Sequence, residues 1–261
     1  MQEIFTEEII QIAAKLNLKD RLTEILDFIH EHNVRHVYKT SLPPQLKGTN
    51  DPKVLFGNNC LRYILLSLFR SKSLIEGAIV CLNSKKMVPS LLCVRSHIET
   101  TSGIAFLLRR LNSYYAKGIE FPRVEEDLFR LSLGATKIEK TEVPKPINVM
   151  EMIEAADYLI NKMVAVIDTT EKAMFRDLYD WLSDFCHPNF QGTCGGAEID
   201  HKEQSLIFYD TDVIQERDFP HFFSLNLSAE LFLHFFDETV ALLEQKEIMP
   251  IIHKTASLAN T

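Results

Sequence analysis

The chain has five cysteines, Cys60, Cys81, Cys93, Cys186 and Cys194, an odd count with no CxxC pair. That spacing excludes a disulfide framework, and three of the five stand in apolar helical runs, as reduced, buried thiols do. With His187 two of them would make only an irregular zinc set lacking a fourth ligand, so no metal site is expected. No apolar run reaches membrane-spanning length, so no membrane partner is expected. Positive charge is in deficit: 28 Lys and Arg stand against 36 Asp and Glu, a net charge of −8. An extended basic surface for duplex DNA is thereby excluded, although a local basic patch is not. The sequence has no Walker P-loop, GxGxxG, GxSxG or HExxH, and no cofactor is expected. Its first residues, MQEIFTEEII, are acidic and lack the basic start and small-residue cleavage site of a signal peptide. A cytoplasmic location is the expectation. Repeats and low-complexity tracts are also missing.

What is present is helical periodicity. The chain is 261 residues long and 46% hydrophobic, enough to bury a sizeable core. Amphipathic helices are expected at about 2–16 and 19–31, the second with Leu22, Ile25, Leu26 and Ile29 on one face. Three prolines and a glycine make 40–52 a loop. A long helix follows over 53–83, broken by Lys85–Lys86, and a second over 88–111. Both are apolar on most of their circumference, which places them in the middle of the fold, and their short connection makes them antiparallel neighbours. Shorter helices are expected at 123–133 and 148–166, and a final one at 224–245. The residues after Gly196, AEID-HKEQ-SLIFYD, read as a small β-hairpin near 197–209. The fold class is therefore all-α: an antiparallel bundle of seven to nine helices with a hairpin insertion. It is expected as a single domain, 1–261, with N-terminal helices in 1–50, a core bundle in 53–245 and a frayed tail at 255–261.

The stretch 175–189, FRDLYDWLSDFCHPN, carries the chemistry. At 100° per residue Met174, Leu178, Trp181, Leu182 and Phe185 share one side of a helix. Arg176, Tyr179, Asp180, Ser183 and His187 share the other. Thr169–Thr170 are the expected N-cap, and Pro188 ends the helix before a loop with Gly192, Gly195 and Gly196. His187 falls at the helix C-terminus, where the dipole favours a cation, and suits proton transfer. Arg176, Asp180 and Asn189 are candidate ligand contacts. The bland alternative is the wet side that any amphipathic helix must have.

A second cluster is Arg95 and Glu99, one turn apart in SLLCVRSHIETTSGIAFLL. Charges in so apolar a run need partners. They are either a structural pair fixing the register of two helices, or a site where Arg95 holds a phosphate or carboxylate, or pairs with Asp180 or Asp184. His97 reads as a packed or surface histidine. Arg109–Arg110, Lys85–Lys86 and the lysines at 137, 140 and 145 read as solvated charges.

Arg95-x-x-x-Glu99 on an apolar helix, followed by Tyr179-x-x-Leu182-Ser183 and then His187-Pro188, resembles a family of uncharacterised bacterial helical proteins related to the HEPN superfamily. The resemblance covers about residues 55–245. It implies a helical bundle, often dimeric, of a toxin–antitoxin, abortive-infection or stress system. It further implies RNA or a nucleotide as partner, and metal-independent RNA cleavage with His187 moving protons and an Arg holding the phosphate. The site it implies is Arg95, Glu99, Tyr179, Ser183 and His187. In that family the Arg lies four to six intervening residues before the His, which here is Asp180, Trp181 or Leu182. Arg176 or Arg95 would have to stand in. The competing expectation is a catalytically silent interaction module that works through dimer or partner contacts.

Overall fold

The computed structural model describes residues 4–36, 52–134, 144–165, 173–187, 197–209 and 218–246. Within them the fold is all-α with one small hairpin. In order, the elements are α1 (Glu7–Lys15), α2 (Lys19–Arg35), α3 (Pro52–Asn83), α4 (Met87–Tyr115), α5 (Phe121–Leu133), α6 (Val149–Val164) and α7 (Met174–Ser183). Then come β1 (Ala197–Asp200), β2 (Ser205–Phe208), α8 (Phe219–Phe222) and α9 (Ser224–Gln245). The expected long helices and the hairpin are all present; α8 is an addition. The strands pair antiparallel, Ala197 with Phe208 through Asp200 with Ser205, and β2 is exposed along its length. The loop at 40–51, the glycine loop, Thr169–Thr170, Pro188, Asn189 and the tail lie outside the described residues.

α4 is the axis of the fold. It packs against α3, α5, α6, α7, α8 and α9. From Thr100 to Leu108 every residue is buried, as expected of a helix apolar nearly all round. α3 and α4 run antiparallel, since Ser90 bonds the Ala78 carbonyl while His97 meets Ser71. Their turn is built by the lysines foreseen as a break. Lys85 adopts a left-handed φ of 55°, and the Lys86 N–H reaches back to the Cys81 carbonyl at 2.8 Å. This 6→1 bond satisfies a terminal carbonyl of α3. Lys85 is not simply solvated, because its Nζ pairs with Glu8 at 2.9 Å. One helix pair runs in a single direction: α2 meets α9 at Glu24–Asn226 (2.8 Å) and again at Arg35–Asp237 (2.7 Å).

Helices α2, α3, α4 and α9 meet at a chain of buried polar groups. The Phe28 carbonyl, which can only accept, sets its polarity. His32 Nδ1–H donates to that carbonyl at 2.6 Å, so a neutral His32 accepts at Nε2 from the Ser71 hydroxyl at 2.7 Å. Ser71 Oγ then accepts from His97 Nε2–H, and His97 Nδ1 accepts from the Ser228 hydroxyl, both at 2.7 Å. His97 is thus a packed histidine, with both nitrogens satisfied. Burial pushes the His32 imidazole from 6.5 down to about 4 and that of His97 to about 3.

Because both folded pKa values lie below the unfolded value, the unfolded chain takes up more protons as pH falls below about 6.5. Stability present above that pH is lost progressively toward pH 4. The expected slope approaches about 1.4 kcal/mol per pH unit for each histidine. His221, pushed by burial to about 4, adds in the same direction. Urea unfolding between about pH 7.5 and 4.5 measures the slope; stability unchanged across that range would contradict a neutral buried chain.

Candidate functional site

Two pairs of side chains, each one helical turn apart, face each other across α4 and α7. α4 supplies Arg95 and Glu99; α7 supplies Tyr179 and Ser183. Arg95 Nε–H donates to Ser183 Oγ at 3.1 Å, and one terminal nitrogen donates to the Tyr179 hydroxyl. The same nitrogen lies 3.4 Å from Glu99 Oε1. The guanidinium carbon stands 4.5 Å from the centre of the Tyr179 ring, a cation–π arrangement. Ser183 spends its own proton on the Tyr179 carbonyl at 2.6 Å, leaving its oxygen to accept from Arg95. Beside burial, the Glu99 carboxylate also acts on the Tyr179 phenol and raises its pKa.

The electrostatics follow from this closure. Burial by itself would lower the Arg95 pKa, but the Glu99 charge, with Cys186 and Tyr179 nearby, outweighs it and holds the value above the ordinary one. Burial raises the Tyr179 phenol, and Arg95 offsets only part of that. The Arg95 and Glu99 side chains keep 25% and 28% of their surface exposed. The partners earlier suggested for Arg95, Asp180 and Asp184, are not the ones it has. Asp180 is exposed and lies 3.4 Å from Arg176 Nε.

His187 stands apart. Helix α7 ends at Ser183, four residues earlier than its periodicity suggests. The N–H groups of Asp184, Phe185 and Cys186 bond carbonyls three residues back, a tighter winding. That winding turns the chain away from the α-helical face, and His187 is exposed with no hydrogen bond to the cluster. The expected apolar face also shifts. Phe175, Tyr179 and Leu182 are the buried residues of α7, and Trp181 is half-buried, stacked on His221 with ring centres 3.3 Å apart. Asn189 lies outside the described residues.

The cap of α7 also differs from expectation. Ala173 is the N-cap and offers no side-chain acceptor. Instead Asp157 of α6 accepts from the N–H groups of Phe175 (2.7 Å) and Arg176 (3.2 Å). A carboxylate at a helix N-terminus meets both the free N–H groups and the dipole. Nothing near α7 in sequence signals it, because the cap comes from another helix. Asp157 also lines a cleft of about 510 Å³ with Arg109, Glu154, Tyr158 and Arg176.

Arg109 and Arg110 are not solvated charges. Arg109 lies over the Tyr158 ring at 4.4 Å, and Arg110 pairs at 2.9 Å with the fully buried Asp127 of α5. Arg123 and Arg130 lie 3.4 and 3.7 Å from the same carboxylate. Burial raises the Asp127 pKa, and the three cations counter it only in part. A larger groove, about 740 Å³, opens between α3 and α5 and is lined by Arg62, Tyr63, Leu66, Arg70, Phe129 and Leu133 among others. Among the described residues no group of three or more His, Cys, Asp or Glu could hold a metal ion. No described helix is long and apolar enough to cross a membrane. No protein-family model, curated protein or solved structure matches the chain.

Removing the Arg95 side chain takes a donor from Tyr179 and Ser183 and the counter-charge from Glu99. Arg95→Ala is expected to cost about 1–3 kcal/mol, below a fully buried pair because a quarter of the surface is wet. Asp157→Ala is expected to cost about 1–2 kcal/mol through the lost cap. Denaturant unfolding of each variant measures both; a loss under about 0.5 kcal/mol for Arg95→Ala would show that the cluster does not hold α7 in place.

Proposed function

We propose that the chain is a helical interaction module that works through contacts with another protein chain. One observation carries this reading: large apolar side chains stand exposed on α3 and α5, with Leu66, Phe69, Phe129 and Leu133 each half or more accessible. Contiguous exposed apolar surface of this kind marks an interaction face. Arg95, Glu99, Tyr179 and Ser183 then serve as a clamp that seats α7 on α4. Their polar groups satisfy one another, which leaves little of the site to bind substrate.

The second reading is an HEPN-like protein of a bacterial defence or stress system that binds or cleaves RNA or a nucleotide in the cytoplasm. What favours it is the quarter of the Arg95 surface left open beside Ser183, four positions before the exposed His187. A phosphate displacing Ser183 from the guanidinium would then have an imidazole on the same segment. Against it stand the net charge of −8 and Glu99 beside the same guanidinium.

Incubating the wild-type protein and His187→Ala with total RNA in the presence of EDTA separates the two. The module reading expects intact RNA from both. Cleavage by the wild type that disappears in His187→Ala would overturn it and establish the ribonuclease.

A further inference from the structure

The outward face of α3 has an order that the rest of the fold does not use. Its positions 55, 59, 62, 66, 69, 73, 76 and 80 are separated by alternating steps of four and three. All are exposed except the half-buried Arg62. Leu55, Leu66, Phe69 and Val80 are 42%, 70%, 60% and 63% exposed. Steps of four and three average 3.5 residues, the repeat that keeps a stripe on one side of a helix and forms the seam between paired helices. α4, α2 and α9 pack against α3, and α5 flanks the stripe across the groove that Asn59, Arg62 and Leu66 line.

Down the stripe the residues read Leu55, Asn59, Arg62, Leu66, Phe69, Ser73, Glu76, Val80. By class this is apolar, polar, polar, apolar, and then the same four again in reverse. We propose that two copies of the chain pair through α3, antiparallel, about a two-fold axis passing between Leu66 and Phe69. A two-fold interface must be self-complementary, and this order is. Turning a second copy end for end sets Leu55 against the partner's Val80, Asn59 against the partner's Glu76, Arg62 against the partner's Ser73 and Leu66 against the partner's Phe69. Every layer matches class with class.

The alternatives match poorly. Sliding the second copy by one heptad in one direction sets Leu55 against the partner's Ser73, Asn59 against the partner's Phe69 and Arg62 against the partner's Leu66. Sliding it the other way sets Arg62 against the partner's Val80, Leu66 against the partner's Glu76 and Phe69 against the partner's Ser73. Each slip buries polar groups against apolar ones at every layer. A parallel pair would face Arg62 with the partner's Arg62 and Glu76 with the partner's Glu76. Specificity comes from such penalties as much as from the matched state.

Charge complementarity supports the same register. Arg62 lies one step along the seam from the partner's Glu76, and symmetry makes that contact twice. Among the described residues the Arg62 guanidinium makes one long hydrogen bond, 3.4 Å to Asn59, and no ion pair. Glu76 has one loose pair among the described residues, with Lys72 at 3.5 Å. The seam spans about 38 Å at 1.5 Å per residue. Across the groove from Leu66, the exposed Phe129 and Leu133 of α5 broaden the apolar surface beside it.

This pairing rests on the reading of the chain as an interaction module, and the two fail separately. Cleavage of RNA dependent on His187 would defeat that reading; the oligomeric state judges the pairing. Sedimentation of the full-length chain is expected to show a dimer. Leu66→Asp should raise its dissociation constant by at least about tenfold while far-UV circular dichroism stays unchanged, since Leu66 is a solvent-facing side chain. Arg62→Glu and Glu76→Arg should each weaken the dimer, and the double variant should restore it. A monomeric wild type, a dimer indifferent to Leu66→Asp, or charge reversals that are not rescued in combination would each overturn the proposal.

Discussion

Burial of α4 on every side over Thr100–Leu108, and on its inner faces elsewhere, is the constraint from which the other features follow. Where the helix is closed to water, an unpaired polar side chain costs about as much as a lost hydrogen bond, and Ser102 Oγ, with no partner among the described residues, is one that carries that cost. His97 and Thr101 therefore find partners on α3 and α9, and Ser90 finds the Ala78 carbonyl. Each of these bonds also specifies which neighbour sits at which height. These three residues thus act as register marks in an otherwise apolar interface, where many sliding positions would bury similar area.

The Arg95 cluster is the same principle applied nearer the surface. α7 is short, ten residues, and too short to be stable without tertiary support. It is held at its start by the Asp157 carboxylate and toward its end by the Arg95 guanidinium. Between these fastenings Phe175, Tyr179 and Leu182 are buried. Two distant helices each lend one charged group to a segment that lacks good caps of its own. The clamp accounts for Arg95 standing before Glu99, the weaker order for a pair within one helix. Its main partners are across the interface.

The proposed pairing draws on the outside of the structure. α3 turns one face to the core and presents a spaced apolar series on the other, while α5 adds Phe129 and Leu133 across a groove. Single exposed leucines are ordinary; the ordered series on one helix is the observation on which that pairing rests.

Much of this was readable from the residues alone. The helical periodicity located α3, α4, α6 and α9 within a few positions, because a buried stripe imposes its own spacing. The lysine pair marked the α3–α4 turn, though Lys85 works there through a left-handed backbone rather than as a free charge. That Arg95 and Glu99 need partners was legible too, since charges in an apolar run demand company, but Tyr179 and Ser183 supply them in place of the Asp180 or Asp184 expected from the residues. What stayed hidden depends on residues far apart in sequence. Asp157 caps a helix that begins seventeen residues later, His32 and His97 share one serine, and Asp127 gathers three arginines, because only packing brings those groups within reach. The exit of His187 from the cluster was hidden for a local reason: three tightened turns after Ser183 rotate the chain off the face that an ideal helix would keep. Sequence determined which segments are helical and which faces must be covered, because those follow from spacing. Tertiary structure decided which polar groups meet, because a hydrogen bond is set by distance and angle, and neither is written in the order of residues.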